Sequence, residues 1–519
     1  MIRAHIPTIL LLAALCTQAR AAGPGPSSGD CKALQSTDFS TVQDAPTQII
    51  EAKPMSAQEG RPELCDIQGY ISPNVGFHLQ LPVSNWNRKF IEVGCGGQCG
   101  VLFDFLCNGP VRRGYACIAS DMGHKSTTQD VKWAYNNLLG QIDWAFRATH
   151  VVALAGKAIL SKFYEQKAEK SYMTGCSTGG HQGLIEAQRF PWDFDGIVVG
   201  APSITMQTVA VNKVWADRVL RDRDGQPLFS PADIRLLHEK VLSKCDLDDR
   251  VKDGVVGDPL SCQANLDELI CKGEKNDRCL THAQVQAAKM RYAGPLTSEG
   301  AQIADGAPLG SELNWLGLNN VASGYTLDLF RYLNFMPAPG LNWQLSDFDF
   351  DRDYKRLGVI DSFYSASNPD LRQFKRAGGK MILYHGWHDE GPSPAQTIDY
   401  YETVTKTMGG LKPTQEFFRL FLIPGMNHCS GGDGAFAIDY LTYLENWVEK
   451  GEALKIMIGS HVPSYKNDYD AFVGLAFPLD PALPVSFTRP VYPYPQHAKY
   501  KGHGNPNKAE NFVPVGPKD

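Results

Sequence analysis

The stretch KSYMTGCSTGGHQGLIEAQR, residues 170–189, decides the fold. Residues 170–174 have the character of a short strand that enters a tight turn, and residues 179–189 that of a helix with small residues near its start. Ser177 lies between them at the centre of a Gly-x-Ser-x-Gly pentapeptide. Such a turn lifts the serine Oγ clear of the backbone, and the helix N-terminus directs N–H groups toward a developing negative charge. The stretch therefore predicts an activated serine.

A strand, sharp turn and helix around a serine form the nucleophile elbow of α/β-hydrolases, which also need an acid and a histidine later in the chain. Asp389 follows the apolar run 381–387, with Glu390 as a competing acid, and His428 follows the run 417–423. A helix-length stretch separates them, so we expect the two runs to be adjacent strands. The predicted triad is Ser177 as nucleophile, His428 as base and Asp389 as its orienting acid. Two further histidines of this loop are expected to be structural, His385 and His388.

An oxyanion hole needs a second N–H donor, from a loop after an earlier strand. Residues 89–93 have the character of a strand, and the glycine-rich residues 94–100 follow it. Glycines allow the backbone to approach a substrate closely. We predict that one N–H comes from Thr178 and the other from Gly97, with Gly96 as the second choice.

Two cysteines flank this chemistry, because Cys176 directly precedes Ser177 and Cys429 directly follows His428. Bonded cysteines have Cα atoms about 4.4 to 6.8 Å apart. A bridge between these two would therefore make the serine and the histidine neighbours, whatever the chain between them does.

Composition restricts the class of protein. The chain has 519 residues, of which 43% are apolar and 20% charged, which fits a globular protein with an ample core. Its formal net charge of −6 and the absence of a basic stripe argue against a nucleic-acid partner. Residues 1–21 have the pattern of a signal peptide, with cleavage near Ala21 or Ala22. No later apolar run reaches the roughly 20 residues of a membrane span, so we expect a secreted or periplasmic protein.

The cysteine count agrees with export. Of 13 cysteines, Cys16 lies in the signal segment, which leaves an even number in an oxidising compartment. The pattern along the chain indicates an α/β protein with two parts. Strands alternating with helices, as in a doubly wound parallel sheet, are predicted in residues 22–202 and 370–519, and a large inserted lid domain in residues 203–369.

Four segments of the chain together resemble one known family. The Gly-Cys-Ser-x-Gly-Gly turn, the distal His-Cys pair, the early Gly-Cys-Gly-Gly loop and the Tyr-His-Gly-Trp-His-Asp strand end are similar to those of the tannase and feruloyl esterase family, which includes mono(hydroxyethyl) terephthalate hydrolases. They lie at residues 175–180, 428–429, 94–97 and 384–389. The resemblance implies an α/β-hydrolase core with a large lid, the triad Ser177, Asp389 and His428, and a disulfide Cys176–Cys429.

The resemblance also implies a structural calcium ion in the lid. The ligands would be the side chains of Asp246, Asp249 and Asp253 with the carbonyls of Val251 and Val255, and hard cations do prefer such oxygen ligands. Arg250 stands where the family usually has glycine, which puts a positive side chain beside the ion. Cys245 and Cys262 bracket the loop and could clamp it. The family further suggests the pairs Cys31–Cys65 and Cys271–Cys279, and the pairing of four cysteines stays open, namely Cys95, Cys99, Cys107 and Cys117.

The resemblance implies a secreted serine carboxylic-ester hydrolase that acts on aromatic, hydroxycinnamoyl esters. Tannase and terephthalate-monoester hydrolase are the alternatives, and an inactive binding module is the alternative from a different class. The partner would be a small aromatic ester, either free or attached to plant polysaccharide. Several lid residues could form an aromatic acyl pocket or equally belong to the core, with Arg331 as a candidate for a substrate carboxylate: Trp315, Phe330, Arg331, Tyr332, Phe335 and Trp343.

Overall fold

The computed structural model describes residues 27–58, 60–316, 322–463 and 483–516. The predicted signal peptide, residues 1–21, lies outside the described residues. Within them, no helix combines the length and the apolar character needed to cross a bilayer.

A nine-stranded sheet forms the centre of the molecule, in the order β1-β2-β3-β5-β4-β6-β7-β8-β9. Two small two-stranded sheets lie near the C-terminus, β10 with β11 and β12 with β13. The strands are β1 Thr47–Met55, β2 Leu64–Ile71, β3 Val75–Pro82, β4 Lys89–Val93, β5 Ala116–Ser120, β6 Lys170–Cys176, β7 Gly196–Gly200, β8 Lys380–Gly386, β9 Phe418–Ile423, β10 Met457–His461, β11 Phe487–Val491, β12 His497–Tyr500 and β13 Phe512–Val515.

The sheet is mixed rather than wholly parallel, which corrects the doubly wound parallel sheet that the sequence predicts. Strands β4 to β9 pair in parallel, whereas β1, β2 and β3 pair antiparallel with one another and β3 pairs antiparallel with β5. The cause is the short link between β2 and β3, since parallel neighbours need a long crossover and antiparallel ones need only a hairpin. The α/β-hydrolase class itself is confirmed.

Helices pack around this sheet and make most of the crossovers between its parallel strands. Strands β5, β7 and nearly all of β8 are buried along their length, as expected for strands covered on both faces. The α-helices are Ser28–Ala33, Asn108–Arg112, Leu138–Ile142, Ala148–Tyr164, Thr178–Arg189, Met206–Val219, Pro231–Cys245, His282–Ala293, Asp353–Arg356, Gly358–Tyr364, Arg372–Arg376, Pro394–Thr407, Leu411–Gln415 and Tyr440–Lys450.

The long connection between β7 and β8 contains a second hydrophobic core, separate from the core around the sheet. It lies within the stretch predicted as the lid. Most of the lid aromatics named above belong to it: Trp315, Phe330 and Phe335 are buried, and Trp343 packs against them. These side chains are therefore core residues, which is one of the two readings that the sequence left open.

Six disulfides join all twelve cysteines of residues 27–516. Four are the pairs suggested by the resemblance: Cys31–Cys65, Cys176–Cys429, Cys245–Cys262 and Cys271–Cys279. The other two resolve the open question, since Cys95 bonds to Cys99 and Cys107 to Cys117.

Candidate active site

Ser177 occupies a strained turn between β6 and the helix Thr178–Arg189. Its backbone has φ 64° and ψ −119°, a conformation that side-chain-bearing residues rarely adopt. The turn is held by the Ser177 N–H, which donates to the carbonyl of Gly200 at the end of β7 (2.9 Å). This geometry is the nucleophile elbow that the sequence predicts.

Two glycines allow the helix to pack so closely on the sheet. A Cβ atom on Gly175 would lie 2.5 Å from the backbone of Gly179, and one on Gly180 would lie 2.3 Å from the carbonyl oxygen of Gly200. Any larger residue would push the helix, and with it the helix N-terminus, away from Ser177.

The acid and the histidine meet at the ends of the neighbouring strands β8 and β9. Nδ1 of His428 lies 2.7 Å from Oδ2 of Asp389. Because an ionised carboxylate can only accept a hydrogen bond, Nδ1 carries the proton and Nε2 is left as the basic nitrogen. Glu390, the competing acid, instead lines the cavity beside the serine.

His385 supports the carboxylate from behind. Its Nε2 lies 3.0 Å from the same Oδ2 of Asp389, and its Nδ1 accepts from the hydroxyl of Thr397 (2.8 Å). The N–H of Gly391 donates to the other carboxylate oxygen at 2.7 Å. Asp389 is thus fixed by three donors. The sequence indicated only that His385 is a structural imidazole.

The opposite charges of Asp389 and His428 shift the pKa values of both residues. Burial would raise the pKa of Asp389, but the positive charge of His428 and the hydrogen bonds from His385 and His428 lower it. Burial would lower the pKa of His428, but the charge of Asp389 and its hydrogen bond raise it above 6.5. His388, in contrast, is buried, which lowers its pKa to about 4, and it remains a structural residue.

The predicted oxyanion donors lie beside the serine. Thr178, Gly97 and Gly96 all line the cavity that Ser177 and His428 share. The Thr178 hydroxyl donates to the carbonyl of Gly97 at 2.6 Å, which ties the elbow to the glycine-rich loop. The disulfide Cys95–Cys99 closes that loop around Gly97. This pairing could not be predicted from the sequence, which left four cysteines without assigned partners.

The disulfide Cys176–Cys429 joins the two residues adjacent to the serine and the histidine, with Cα atoms 5.9 Å apart. A side chain from the long connection between β7 and β8 adds a second tie. Nδ2 of Asn314 donates to the carbonyl of His388 and to Oδ1 of Asn427, both at 2.9 Å. The acid loop and the histidine loop are therefore held together through this connection.

The shared cavity has a volume of about 310 Å³. Its apolar wall contains Trp144 and Tyr364, whose rings stack at 4.7 Å. Arg331 is absent from the wall, and its Nε donates to the carbonyl of Trp343. None of the six residues named in the sequence analysis lines this cavity, which agrees with the core alternative left open there. The wall consists of Gly96, Gly97, Gln98, Phe103, Thr128, Gln129, Trp144, Ser177, Thr178, Ser203, Met206, Val209, Lys213, Tyr325, Leu329, Tyr364, Glu390, Gly391, Pro392 and His428.

In the predicted calcium loop, residues 246–255, Asp246 and Asp249 each keep one carboxylate oxygen outside the backbone hydrogen bonds of the loop, whereas Arg489 already pairs with the second oxygen of Asp253. One oxygen of each carboxylate accepts backbone N–H groups, as Oδ1 of Asp246 does from Asp253 and Gly254. Burial, together with the nearby carboxylates, raises the pKa of Asp249 to about 7. A divalent cation would relieve this crowding of negative charge, so the donor set fits calcium.

The positive side chain beside this loop is not the one expected from the sequence. Arg250 is exposed and has φ 73°, a conformation that favours glycine. Arg489 instead approaches the loop, with Nη2 2.6 Å from Oδ2 of Asp253. The three carboxylates are not grouped within 4.8 Å of one another in the described part of the chain, so an ion would have to draw them closer.

Comparison with known proteins shows the family to which the chain belongs. The family described as tannase and feruloyl esterase matches residues 61–515. The chain is 32% identical to mono(2-hydroxyethyl) terephthalate hydrolase of Piscinibacter sakaiensis, over 95% of the chain and 93% of that protein. It is 30% identical to a protein named probable feruloyl esterase of Arthroderma benhamiae, over 89% of the chain and 88% of that protein.

A solved structure extends the likeness to the fold. Feruloyl esterase B from Aspergillus oryzae superposes with a TM-score of 0.82 at 25% identity, over 94% of this chain and 100% of that one. The match covers both the sheet and the long connection between β7 and β8.

Proposed function

The chain belongs to the tannase and feruloyl esterase family and is a carboxylic-ester hydrolase, and from this premise we propose that Ser177, His428 and Asp389 are its catalytic triad. The observation that carries the proposal is the strained Ser177 turn opening into the cavity that His428 lines, with the His428–Asp389 hydrogen bond behind it.

Acylation begins when Nε2 of His428 takes the proton of Ser177 and Oγ attacks the ester carbonyl carbon. The carbonyl oxygen becomes negatively charged and is stabilised by the N–H groups of Thr178 and Gly97. The C–O bond to the alcohol then breaks, and the imidazolium returns its proton to the departing alkoxide. An acyl group remains bound to Ser177 as an ester.

Deacylation repeats these steps with water. His428 takes a proton from a water molecule, and the hydroxide attacks the acyl carbon. The bond to Oγ breaks, and Oγ recovers the proton. Throughout, Asp389 keeps Nδ1 protonated and stabilises the positive charge on the ring. The products are the free acid and the alcohol.

We propose that the substrate is an ester with an aromatic acyl group. Trp144, Tyr364 and Tyr325 supply a ring-lined wall, and aromatic rings bind well in such walls through apolar and edge contacts. Hydroxycinnamoyl esters are our first choice because several relatives are named feruloyl esterases. Galloyl esters and terephthalate monoesters are the alternatives.

The test is a panel of esters with purified protein: methyl ferulate, methyl gallate and mono(2-hydroxyethyl) terephthalate. We expect hydrolysis of at least one, and a loss of about 10³-fold or more in kcat for Ser177→Ala. Full activity of Ser177→Ala would overturn the mechanism. Hydrolysis of none of these esters would favour the binding module.

We further propose that Asp246, Asp249 and Asp253, with the Val251 and Val255 carbonyls, hold a structural Ca²⁺. The ion would supply positive charge to a crowded acidic loop, and it takes no part in the reaction. We expect EDTA to lower the melting temperature and added calcium to restore it, and Asp249→Asn to abolish that restoration. The same melting temperature with EDTA and with calcium would contradict the site.

Export from the cytoplasm is the third proposal. Six disulfides suit an oxidising compartment, because cytosolic reductants keep most thiols reduced. The substrate would then be met outside the cell, as a free aromatic ester or one attached to plant polysaccharide. N-terminal sequencing of the mature protein should begin near residue 22.

A further inference from the structure

One side chain of the glycine-rich loop joins this loop to a distant part of the chain. Nε2 of Gln98 donates to the hydroxyl oxygen of Tyr325 at 2.7 Å, although the two residues are 227 positions apart. Tyr325 belongs to the long connection between β7 and β8, and both residues line the cavity together with Ser177. The proposed hydrolysis mechanism gives this contact no role.

The loop has unpaired N–H groups directly before Gln98. Within the described residues, the N–H groups of Gly96 and Gly97 make no hydrogen bond, whereas the N–H of Gln98 donates to the carbonyl of Thr128 at 2.8 Å. The carbonyl of Gly97 accepts from the Thr178 hydroxyl. The peptide group between Gly97 and Gln98 is therefore fixed at both its oxygen and its N–H, and the two unpaired N–H groups come just before it in the chain.

The side-chain amide of Gln98 depends on its one contact with Tyr325. Gln98 is only 2% exposed, and its Oε1 is buried without a hydrogen-bond partner among the residues that the structure describes. Without the Tyr325 hydroxyl the amide has no partner at all, which is costly for a buried polar group. We expect the loop to shift in response. Because the disulfide Cys95–Cys99 encloses Gln98 and the two glycines before it in one small ring, a movement of Gln98 also moves these glycines.

We infer that Gln98 and Tyr325 are positioning residues for the oxyanion hole, because their hydrogen bond holds the N–H of Gly97 where negative charge develops on the ester carbonyl oxygen. The long connection between β7 and β8 then contributes to the stabilisation of the transition state as well as to the cavity wall. Oxyanion donors are effective only when they are correctly placed before the reaction, so a small displacement lowers the rate. The inference rests on the proposed function, because the two residues act through its oxyanion donor.

Tyr325→Phe is the direct test, because it removes the hydroxyl and keeps the ring in the cavity wall. With the ester of the panel that the wild type hydrolyses fastest, we expect kcat to fall about 5- to 50-fold while KM changes by less than about threefold. Tyr400→Phe is the matched control. Nε2 of Gln188 donates to the hydroxyl of Tyr400 at 2.9 Å, and neither residue lines the cavity. This control should lower the free energy of unfolding in urea but leave kcat unchanged.

A transition-state analogue distinguishes a positioning role from general structural damage. With 2,2,2-trifluoroacetophenone, the serine Oγ bonds to the carbonyl carbon, the serine proton passes to His428, and the carbonyl oxygen becomes the negative oxygen of a hemiketal. In Tyr325→Phe the Ki of this ketone should rise by about the same factor as kcat/KM falls. The Ki of the amide of ferulic acid, which binds without forming this negative oxygen, should change by less than about threefold.

A double variant tests whether the two side chains act through each other. Gln98→Met alone should also lower kcat, since methionine is similar in length but cannot donate a hydrogen bond. When Gln98→Met and Tyr325→Phe are combined, both polar partners are gone and neither is left unpaired. The double variant should therefore lose no more activity than the poorer of the two single variants.

Four results would overturn the inference: full kcat in Tyr325→Phe, a loss confined to KM, losses that multiply in the double variant, or a lower kcat with an unchanged Ki for the ketone. A loss confined to KM would make Tyr325 a contact of the substrate instead. The proposed function is judged separately, by whether Ser177→Ala abolishes hydrolysis. If Tyr325→Phe does not fold, Gln98→Met with the same ketone and amide decides.

Discussion

At the scale of single residues, the site depends on which of two adjacent acids faces the histidine. Asp389 is fully buried and contacts Nδ1 of His428, whereas Glu390 faces the cavity. Both acids follow the same strand in the sequence, and position alone favours Asp389. The backbone conformation of the turn after β8 decides which of the two side chains contacts His428 and which lines the cavity.

The first prediction concerns this pair. Asp389→Asn should lower kcat by about 10³- to 10⁴-fold, because the amide no longer fixes the Nδ1–H tautomer or balances the imidazolium. Glu390→Gln is the matched control and should change kcat by less than about tenfold. Initial rates on the preferred ester check both variants. A larger loss in Glu390→Gln would exchange the two assignments.

The second prediction concerns pH. His428 acts as base only when neutral, and the negative charge of Asp389 raises its pKa above 6.5. Activity should therefore fall as the pH decreases through that raised value, so the acid limb of kcat/KM lies above pH 6.5. In Asp389→Asn the raising charge is gone, and the limb should move to lower pH. A limb unchanged by this substitution would show that another group is titrating.

At the scale of elements, the nucleophile elbow could be predicted because all the residues that form it are contiguous in the sequence. Seven residues of strand, one strained serine and a helix rich in small residues are consecutive in sequence. The antiparallel strands β1 to β3 have weaker sequence signals: β1 is only partly buried, and the mostly buried β2 and β3 are interrupted by polar residues such as Asp66, His78 and Gln80. The cavity wall was missed, since it gathers residues from segments far apart in sequence. One signal was available, the shared face of Met206, Val209 and Lys213.

The third prediction tests the contact between two elements, the helix after Ser177 and the glycine-rich loop. Thr178→Val keeps the backbone N–H but removes the hydroxyl that donates to Gly97. One hydrogen bond is worth about 0.5–1.5 kcal/mol, so kcat should fall about 2- to 10-fold with little change in KM.

Thr174→Val is the matched control for this change. Thr174 is buried in β6 below the same elbow, and among the residues that the structure describes its hydroxyl has no hydrogen-bond partner. Its replacement should leave kcat unchanged and the protein at least as stable. Equal kinetic effects of the two variants would mean that the Thr178 contact does not position the loop.

At the scale of the whole molecule, one disulfide connects the serine and histidine ends of the proposed triad across the long connection between β7 and β8. Cys176 and Cys429 are separated by 253 residues, and they adjoin the serine and the histidine. The sequence placed these cysteines beside the two residues but could not prove the bond, because pairing depends on how the intervening chain folds. In an α/β-hydrolase, adjacent strands of the sheet hold the serine and histidine loops near each other. In this protein a disulfide also links the two loops covalently.

The fourth prediction follows from this link. Replacing both cysteines by alanine removes the constraint on a 253-residue loop, which the chain-entropy account values at about 5 kcal/mol of unfolding free energy. We also expect kcat to fall, because the His428 loop is no longer tied to Ser177. Urea unfolding and ester hydrolysis measure the two effects.

The Cys271–Cys279 pair, in the long connection between β7 and β8, provides the control. Its loop is short, so its replacement should cost only about 2 to 3 kcal/mol and leave kcat unchanged. If both double variants lost stability alone and kept full kcat, the Cys176–Cys429 bridge would have no role in catalysis.

The most direct test of the central claim is labelling with diethyl p-nitrophenyl phosphate, which phosphorylates an activated serine. We predict that one diethylphosphoryl group per molecule abolishes esterase activity, and that peptide mass spectrometry locates it on Ser177. Asp389→Asn should react far more slowly. Activity that survives complete labelling of Ser177, or a loss of activity with the label on another residue, would contradict the account.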